Sequence, residues 1–315
     1  MEDVAIIGTG FIGRAWAISH ARAGNSVRLW DQDADATGRA KDYIAGLLPD
    51  LLAHDLLNGQ APEEVLTRIQ PVESLEAAVA GVGYVQENTF ERLDVKIAIF
   101  QRLDSATPAD AVIASSTSAL LPSAFTEGLA GRARCLVAHP INPPYVIPAA
   151  EVVPAPWTSP ATVERAARIL TAIGQKPIVM KREIDGFVMN RLQGAILEEA
   201  FRLVADGYAS VEDVDIGIRD GLALRWSFMG PFETIDLNAP GGVRDYVERY
   251  QGLYRGLFAS MMRRVEWDGP VIEEIARDRR AALPADQLQP RQEWRDRRLM
   301  ALIAHKNRAD RDIGA

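Results

Sequence analysis

Apolar residues in the first half of the chain come in short, β-branched runs separated by stretches with helical spacing. Val4–Ile7, Val27–Trp30, Gly83–Gln86, Val112–Ser115 and Cys135–Ala138 read as strands. Residues 11–23, 35–57 and 92–105 read as helices between them, with Gly24 placed to end the first. That alternation is the pattern of βαβ units stacked into a parallel sheet. Beyond it, a serine cap at Ser159, an early proline at Pro160 and helical periodicity predict a helix ending at Gly174, and a strand over Pro177–Met180 follows. After Asp185-Gly186 the texture changes: a helical pattern runs to about Ala205, Ser210-Val211-Glu212-Asp213 opens another, and helices dominate thereafter. The expected fold class is α/β, with a mostly parallel sheet domain over residues 1–184 followed by an all-helical domain over residues 185–315.

Gly8-Thr9-Gly10-Phe11-Ile12-Gly13 matches G-x-G-x-x-G directly after a predicted strand and at the mouth of a predicted helix, which makes the sheet domain Rossmann-type. The first glycine permits the tight turn, the second lets backbone approach a pyrophosphate, and the third allows close helix-to-strand packing. Asp31 closes the second strand eighteen residues past Gly13. A carboxylate there accepts hydrogen bonds from the ribose hydroxyls of NAD and repels the extra phosphate of NADP, so NAD is the expected cofactor. Arg14 and Arg28 lie nearby in sequence.

His139 ends a predicted strand, at the sheet edge that faces the ligand crevice in open α/β folds. The prolines at 140, 143, 144 and 148 forbid helix, so the chain can return to the apolar pair Val152-Val153 with Glu151 at its start, within reach of His139. Oxidation of an alcohol needs a group to take the hydroxyl proton as hydride leaves, and imidazole titrates in the useful range. Spacing alone leaves two readings open: a general base with a carboxylate behind it, or a partly buried histidine bonded to backbone.

The 315 residues, 48% hydrophobic and 25% charged, give an ordinary globular composition with room for two domains. A net charge of −8 argues against a nucleic-acid partner. Cys135 is the single cysteine, and His20, His54, His139 and His305 lack metal-ligand spacing, so neither a disulfide nor a catalytic metal is expected. With no run of roughly 20 apolar residues and no signal-peptide pattern, the expectation is a cytoplasmic protein with no membrane partner.

The motifs taken in order resemble the 3-hydroxyacyl-CoA dehydrogenase superfamily across nearly the whole chain. After the glycine fingerprint come Glu91 and Lys96, Thr117-Ser118, His139-x2-Asn142-Pro143 with Glu151, Gly186-Phe187-Val188-Met189-Asn190-Arg191, and Met229-Gly230-Pro231-Phe232. A narrower resemblance, to the L-gulonate 3-dehydrogenase (lambda-crystallin) branch, rests on four further segments. These are Val137 to Tyr145, Gly221-Leu222-Ala223-Leu224-Arg225-Trp226, Leu237-Asn238-Ala239 and Arg291-Gln292-Glu293-Trp294-Arg295-Asp296. The resemblance implies His139 as general base, Glu151 as its partner, Ser118 and Asn190 hydrogen-bonding near the substrate oxygen, and Glu91 with Lys96 at the cofactor. It also implies a homodimer formed through the helical domain. From the residues alone, Ser118 also reads as one more polar turn residue, Asn190 as a helix-start residue, and Glu91 with Lys96 as a solvated helix pair.

A CoA ester brings several phosphates, which proteins normally meet with Lys and Arg. No lysine occurs between Lys41 and Lys96, and Arg68 is the sole arginine after Lys41 and before Arg92. The expected substrate is therefore a small 3-hydroxy acid, L-gulonate first, with a 3-hydroxyacyl-CoA or carnitine as alternatives. Arg225 is the nominated anchor for its carboxylate, with a structural ion pair to a helix acid as the other reading of that residue. A non-catalytic, crystallin-like structural protein is the rival class, and the presence of His139, Glu151, Ser118 and Asn190 argues against it.

Overall fold

The computed structural model describes residues 2–314. The first part of the chain runs β1 (Asp3–Ile7), α1 (Phe11–Arg22), β2 (Ser26–Trp30), α2 (Ala36–Ala53), α3 (Pro62–Thr67), β3 (Ile69–Pro71), α4 (Leu75–Val79), β4 (Tyr84–Glu87), α5 (Leu93–Ala106), β5 (Val112–Ser115), α6 (Pro122–Thr126), β6 (Cys135–Pro140), β7 (Ala149–Pro154), α7 (Pro160–Ala172) and β8 (Lys176–Val179). Among the described residues these strands make one eight-stranded sheet in the order β3-β2-β1-β4-β5-β6-β7-β8. Neighbours are parallel except β6 and β7, which pair antiparallel. The chain leaves β1 toward β2 on one side and returns to β4 on the other, so a crevice opens at the C-terminal ends of β1 and β4.

Alternation along each strand divides the core between two faces. Val4 and Ile6 join Trp16 and Ile18 of α1, Ile44, Leu48 and Leu51 of α2, and Ile169 and Leu170 of α7. Ala5 and Ile7 join Leu75 of α4, Phe100 and Leu103 of α5, and Phe125 of α6 on the other face. Burial on both sides is why these strands read as continuous apolar runs. Gly24 and Gly174 hold φ of 92° and 86°, the left-handed geometry that ends α1 and α7. The expected helix over 35–57 stops at Ala53, because Asp55 and Asn58 take positive φ and turn the chain. The elements α3, β3 and α4 are too short to leave a periodic signature.

The chain forms two compact units. The first contains residues up to Val188 together with Trp294–Asn307. The division falls after Val188, and the late segment belongs with the sheet unit because its apolar side is core. Met300 is fully buried in the α1/α2 face of the core, Leu299 and Ile303 pack beside it, and Arg297 reaches Asp50 of α2 at 3.2 Å. The second unit is helical: α8 (Met189–Ala205), α9 (Val211–Ile216), a π-helical turn at Gly217–Leu222, α10 (Ala223–Trp226), α11 (Pro231–Leu237), α12 (Gly242–Met261) and α13 (Gly269–Ala282), with the ends of α14 (Leu288–Asp312). Among the described residues no helix is long and apolar enough to cross a membrane.

His20 on α1 is fully buried against the rings of Trp16 and Tyr84, with Asn25 Nδ2 donating to its Nδ1 at 3.3 Å. Burial holds its pKa down at about 3. Unfolded, a histidine titrates near 6.5, so between these values the unfolded chain binds more protons and stability falls as pH is lowered. His20→Gln is expected to flatten the loss of thermal stability between pH 6.5 and 3. Equal slopes for variant and parent would show that His20 does not contribute.

Candidate active site

The fingerprint loop leaves β1 through Gly8, whose φ is 87° and whose added Cβ would lie 2.8 Å from the backbone carbonyl of Asn88. A Cβ on Gly13 would collide with the Gly8 carbonyl oxygen, so α1 can approach β1 this closely only with glycine there. Gly10 differs: a Cβ there would meet nothing within 4 Å, and as N-cap of α1 it makes no side-chain cap bond. One wall is thus bare backbone at the positive end of a helix, next to open space. That fits a dinucleotide pyrophosphate. Phe11 is exposed at this mouth, Ile12 packs at the core margin, and the Arg14 guanidinium stacks over the Phe11 and Tyr43 rings. Asp31 follows β2 with its carboxylate already oriented. Oδ2 accepts the Thr9 N–H at 2.6 Å and the Thr9 hydroxyl at 3.0 Å, and Oδ1 accepts the Asp33 N–H at 3.1 Å.

His139 and Glu151 face each other directly in the antiparallel register of β6 and β7. Nδ1 of His139 lies 2.7 Å from Oε2 of Glu151, and the pair is 7% and 0% exposed. A carboxylate can only accept, so the hydrogen of this bond sits on Nδ1, leaving Nε2 as the lone-pair nitrogen of the neutral ring. The other Glu151 oxygen accepts the Val188 N–H at 2.6 Å. Just before it, Gly186 and Phe187 hold φ of 76° and 50°. For phenylalanine this left-handed conformation costs on the order of 1–2 kcal/mol. It places the fully buried Phe187 ring 5.7 Å from the imidazole.

Ser118 is exposed in the turn after β5, the strand beside β6, and therefore on the same sheet edge as His139. Glu91 organises that turn: its Oε1 accepts the N–H groups of Ser118 at 3.0 Å and Ala119 at 3.1 Å, and the Thr117 hydroxyl. Lys96 does not meet Glu91. It is buried, and its ammonium donates to both oxygens of Glu87 at 2.8 and 2.9 Å and to the Thr89 carbonyl at 3.0 Å. Glu87 also accepts the Ser115 hydroxyl at 2.6 Å and, from Thr89, the N–H at 2.5 Å and the hydroxyl at 2.6 Å. Lys96 is therefore not half of a solvated helix pair. Asn190, half-buried near the start of α8, and Arg225, exposed on α10, belong to the second unit. Arg225 is in no ion pair among the described residues, and its charge acts on the Tyr246 hydroxyl.

Several residues of this edge carried no motif of their own. Glu87 ends an apolar strand, and a charge in that place was the available signal. Ser116 accepts from Trp16 Nε1 at 3.0 Å and Gln86 Nε2 at 2.7 Å and donates to Asn88 at 2.7 Å, tying α1, β4 and the turn after β5 together. Phe187 lies inside a recognised motif, but its backbone conformation is visible only in three dimensions.

The chain matches the NAD-binding domain of 3-hydroxyacyl-CoA dehydrogenase over residues 3–184 and that enzyme's C-terminal domain over residues 186–268. Lambda-crystallin of Oryctolagus cuniculus is 42% identical over 307 residues, covering 96% of each chain. L-carnitine dehydrogenase of Streptomyces griseus is 41% identical over 251 residues, 79% of this chain and 74% of that one. Among solved structures, 5-formyl-3-hydroxy-2-methylpyridine 4-carboxylic acid 5-dehydrogenase, an NAD+-dependent dismutase, superimposes with a TM-score of 0.82 at 26% identity, over 96% of this chain and 97% of that one. A glycine loop shaped for a dinucleotide, a carboxylate-backed histidine on the same sheet edge and family matches on both sides of residue 185 lead to one assignment: the chain belongs to the 3-hydroxyacyl-CoA dehydrogenase family, as an NAD-dependent oxidoreductase acting on a CH–OH group.

Proposed function

We propose that this chain oxidises the 3-hydroxyl of a small L-3-hydroxy acid, with L-gulonate giving 3-dehydro-L-gulonate as the leading pair. The His139–Glu151 contact carries the reading, because it leaves Nε2 to receive the hydroxyl proton while Glu151 balances the imidazolium that results. The chemistry that bound NAD supplies is acceptance of hydride from the carbinol carbon. Gly8, Gly10, Phe11, Ile12 and Gly13 form its cradle and Asp31 its ribose acceptor. Ser118 and Asn190 donate to the substrate oxygen and steady the charge that grows there as the proton leaves.

The surface chemistry favours a substrate without CoA. Arg68, the lone cation between Lys41 and Arg92, is spent inside the protein: its guanidinium donates to the Gln60 side chain, the Glu64 carbonyl at 3.2 Å and the Ala21 carbonyl at 3.4 Å. Arg225, exposed and outside any ion pair among the described residues, supplies a planar fork for a substrate carboxylate. The likeness to lambda-crystallin and L-carnitine dehydrogenase, rather than to acyl-CoA enzymes alone, agrees with a small hydroxy acid. The helical unit supports a homodimer, because α12 buries none of its residues and exposes Leu253, Leu257 and Phe258.

NADH absorbance with L-gulonate, L-carnitine and 3-hydroxybutyryl-CoA tests the substrate: the highest kcat/KM is expected for L-gulonate, and a higher value for the CoA ester would overturn the assignment. His139→Ala should lower kcat/KM about 10²- to 10⁴-fold with NADH binding retained, and a loss of only a few-fold would remove the base. Arg225→Ala is expected to raise the KM for L-gulonate about tenfold or more with kcat largely kept, and an unchanged KM rejects the anchor. Sedimentation equilibrium should report a dimer. A monomer at micromolar concentration would count against the interface.

A further inference from the structure

Gln86 is a fully buried amide within an apolar layer, where Tyr84, Ala114, Leu136 and Ala138 are core on the same face of the sheet. A group of that kind is tolerated only when its hydrogens and its oxygen find partners. Those partners fix its orientation. A carbonyl can only accept, so the nitrogen faces Ala138 and donates to that carbonyl at 3.3 Å, while Oε1 accepts the Tyr84 hydroxyl at 2.6 Å. The other amide hydrogen goes to Ser116 Oγ at 2.7 Å. That oxygen also takes the Trp16 indole N–H at 3.0 Å, so the serine's own hydrogen points to Asn88 Oδ1 at 2.7 Å. Asn88 Nδ2 donates in turn to the carbonyls of Ile7 at 3.3 Å and Gln86 at 2.9 Å. Every hydrogen of these side-chain groups has an acceptor, the condition under which a buried network rigidifies its surroundings.

The network ends at the peptide that joins Ala138 to His139. β5 stops at Ser115, which pairs with Val137, and the Thr117 N–H that follows turns back to Ser115 Oγ at 3.2 Å. The last residues of β6 therefore run past the end of β5, and the Gln86 amide reaches across from β4 to hold the carbonyl next to the histidine. On the other flank β7 supplies Glu151. His139 is thus held at its ring by a carboxylate and at its backbone by an amide. The opposite end of the network lies under the glycine loop, since Ile7 precedes Gly8 and the Asn88 backbone carbonyl is what a Cβ on Gly8 would strike.

We propose that Gln86 is a positioning residue for His139, holding the Ala138 peptide through an amide that Tyr84 and Ser116 keep in place. This rests on the reading of His139 as the base that takes the hydroxyl proton. A base displaced by about 1 Å costs on the order of a hundredfold in rate. Removing the amide leaves the Ser116–Asn88 bond under the glycine loop in place, so the cost falls on the chemical step rather than on cofactor binding.

Methionine is unbranched and close to glutamine in volume, so Gln86→Met removes the amide and keeps the packing. With the best substrate of the three named above, it should lower kcat about 10- to 100-fold, with KM and the NADH Kd each within about threefold of the parent. Ser116→Ala, which loosens the amide, should lower kcat in the same direction, and Ser116→Thr, which keeps a hydroxyl, should recover most of that loss. In a His139→Ala background, Gln86→Met should cost less than about twofold more, since the peptide it holds no longer carries the imidazole. Met300→Ala, on the same face of the core, is the control for lost stability alone: the melting temperature should fall and kcat stay unchanged. The proposal is overturned by a Gln86→Met kcat within about twofold of the parent, by losses that multiply with His139→Ala, or by an equal fall in Met300→Ala. Should Gln86→Met not fold, an unchanged kcat in Ser116→Ala has the same force. A loss of only a few-fold in His139→Ala would instead remove the base on which the proposal rests, and that single variant separates the two failures.

Discussion

A carboxylate with no exposure to water has to be paid for by its neighbours, and Glu151 is such a group. Its two oxygens are met by the imidazole of His139 and the N–H of Val188. Both partners depend on backbone decisions made elsewhere. His139 stands opposite Glu151 because β7 runs antiparallel to β6 in one register, and a slip by one residue would turn the carboxylate to the other face of the sheet. Val188 presents its N–H because Gly186 and Phe187 bend the chain through two left-handed residues. The strain at Phe187 is thus tied to the same charge that orients the histidine, and the ring it delivers shields that histidine from water.

The same logic repeats three strands away, on β4. Glu87 is as deeply buried as Glu151, and it is satisfied by an ammonium, two hydroxyls and a backbone N–H. Replacing one member would leave a buried group unpaired, which typically costs about 3–5 kcal/mol. The two buried carboxylates differ in what they support: Glu151 orients a group able to exchange a proton, while Glu87 holds the turns on either side of it. The sheet brings both to one edge in two ways: Glu87 ends the parallel strand β4 there, and Glu151 lies near the start of β7, which runs back from that edge antiparallel to β6.

Amphipathic periodicity made the sheet unit legible. Strands of four to six residues buried on both faces left apolar runs that could be read directly, and Gly24, Gly174 and Ser159 marked helix ends by their own chemistry. The glycine fingerprint was legible for the same reason, since Gly8 and Gly13 sit where any side chain would collide. Trp294–Asn307 was not, because α14 is mostly polar and shows its apolar side only through Leu299, Met300 and Ile303, which look unremarkable until a core lies beneath them.

The sequence by itself determined the α/β order of elements, the dinucleotide loop with Asp31, and the identity of His139 and Glu151, because each follows from periodicity or from a residue type that one local geometry demands. Only the tertiary structure decided which charges meet. Glu91 and Lys96 are five positions apart and read as neighbours, yet one caps the Ser118 turn and the other is buried on Glu87. Partner choice among charges depends on which strands lie side by side and which groups lose their water. Sheet order and burial, not spacing along the chain, set both.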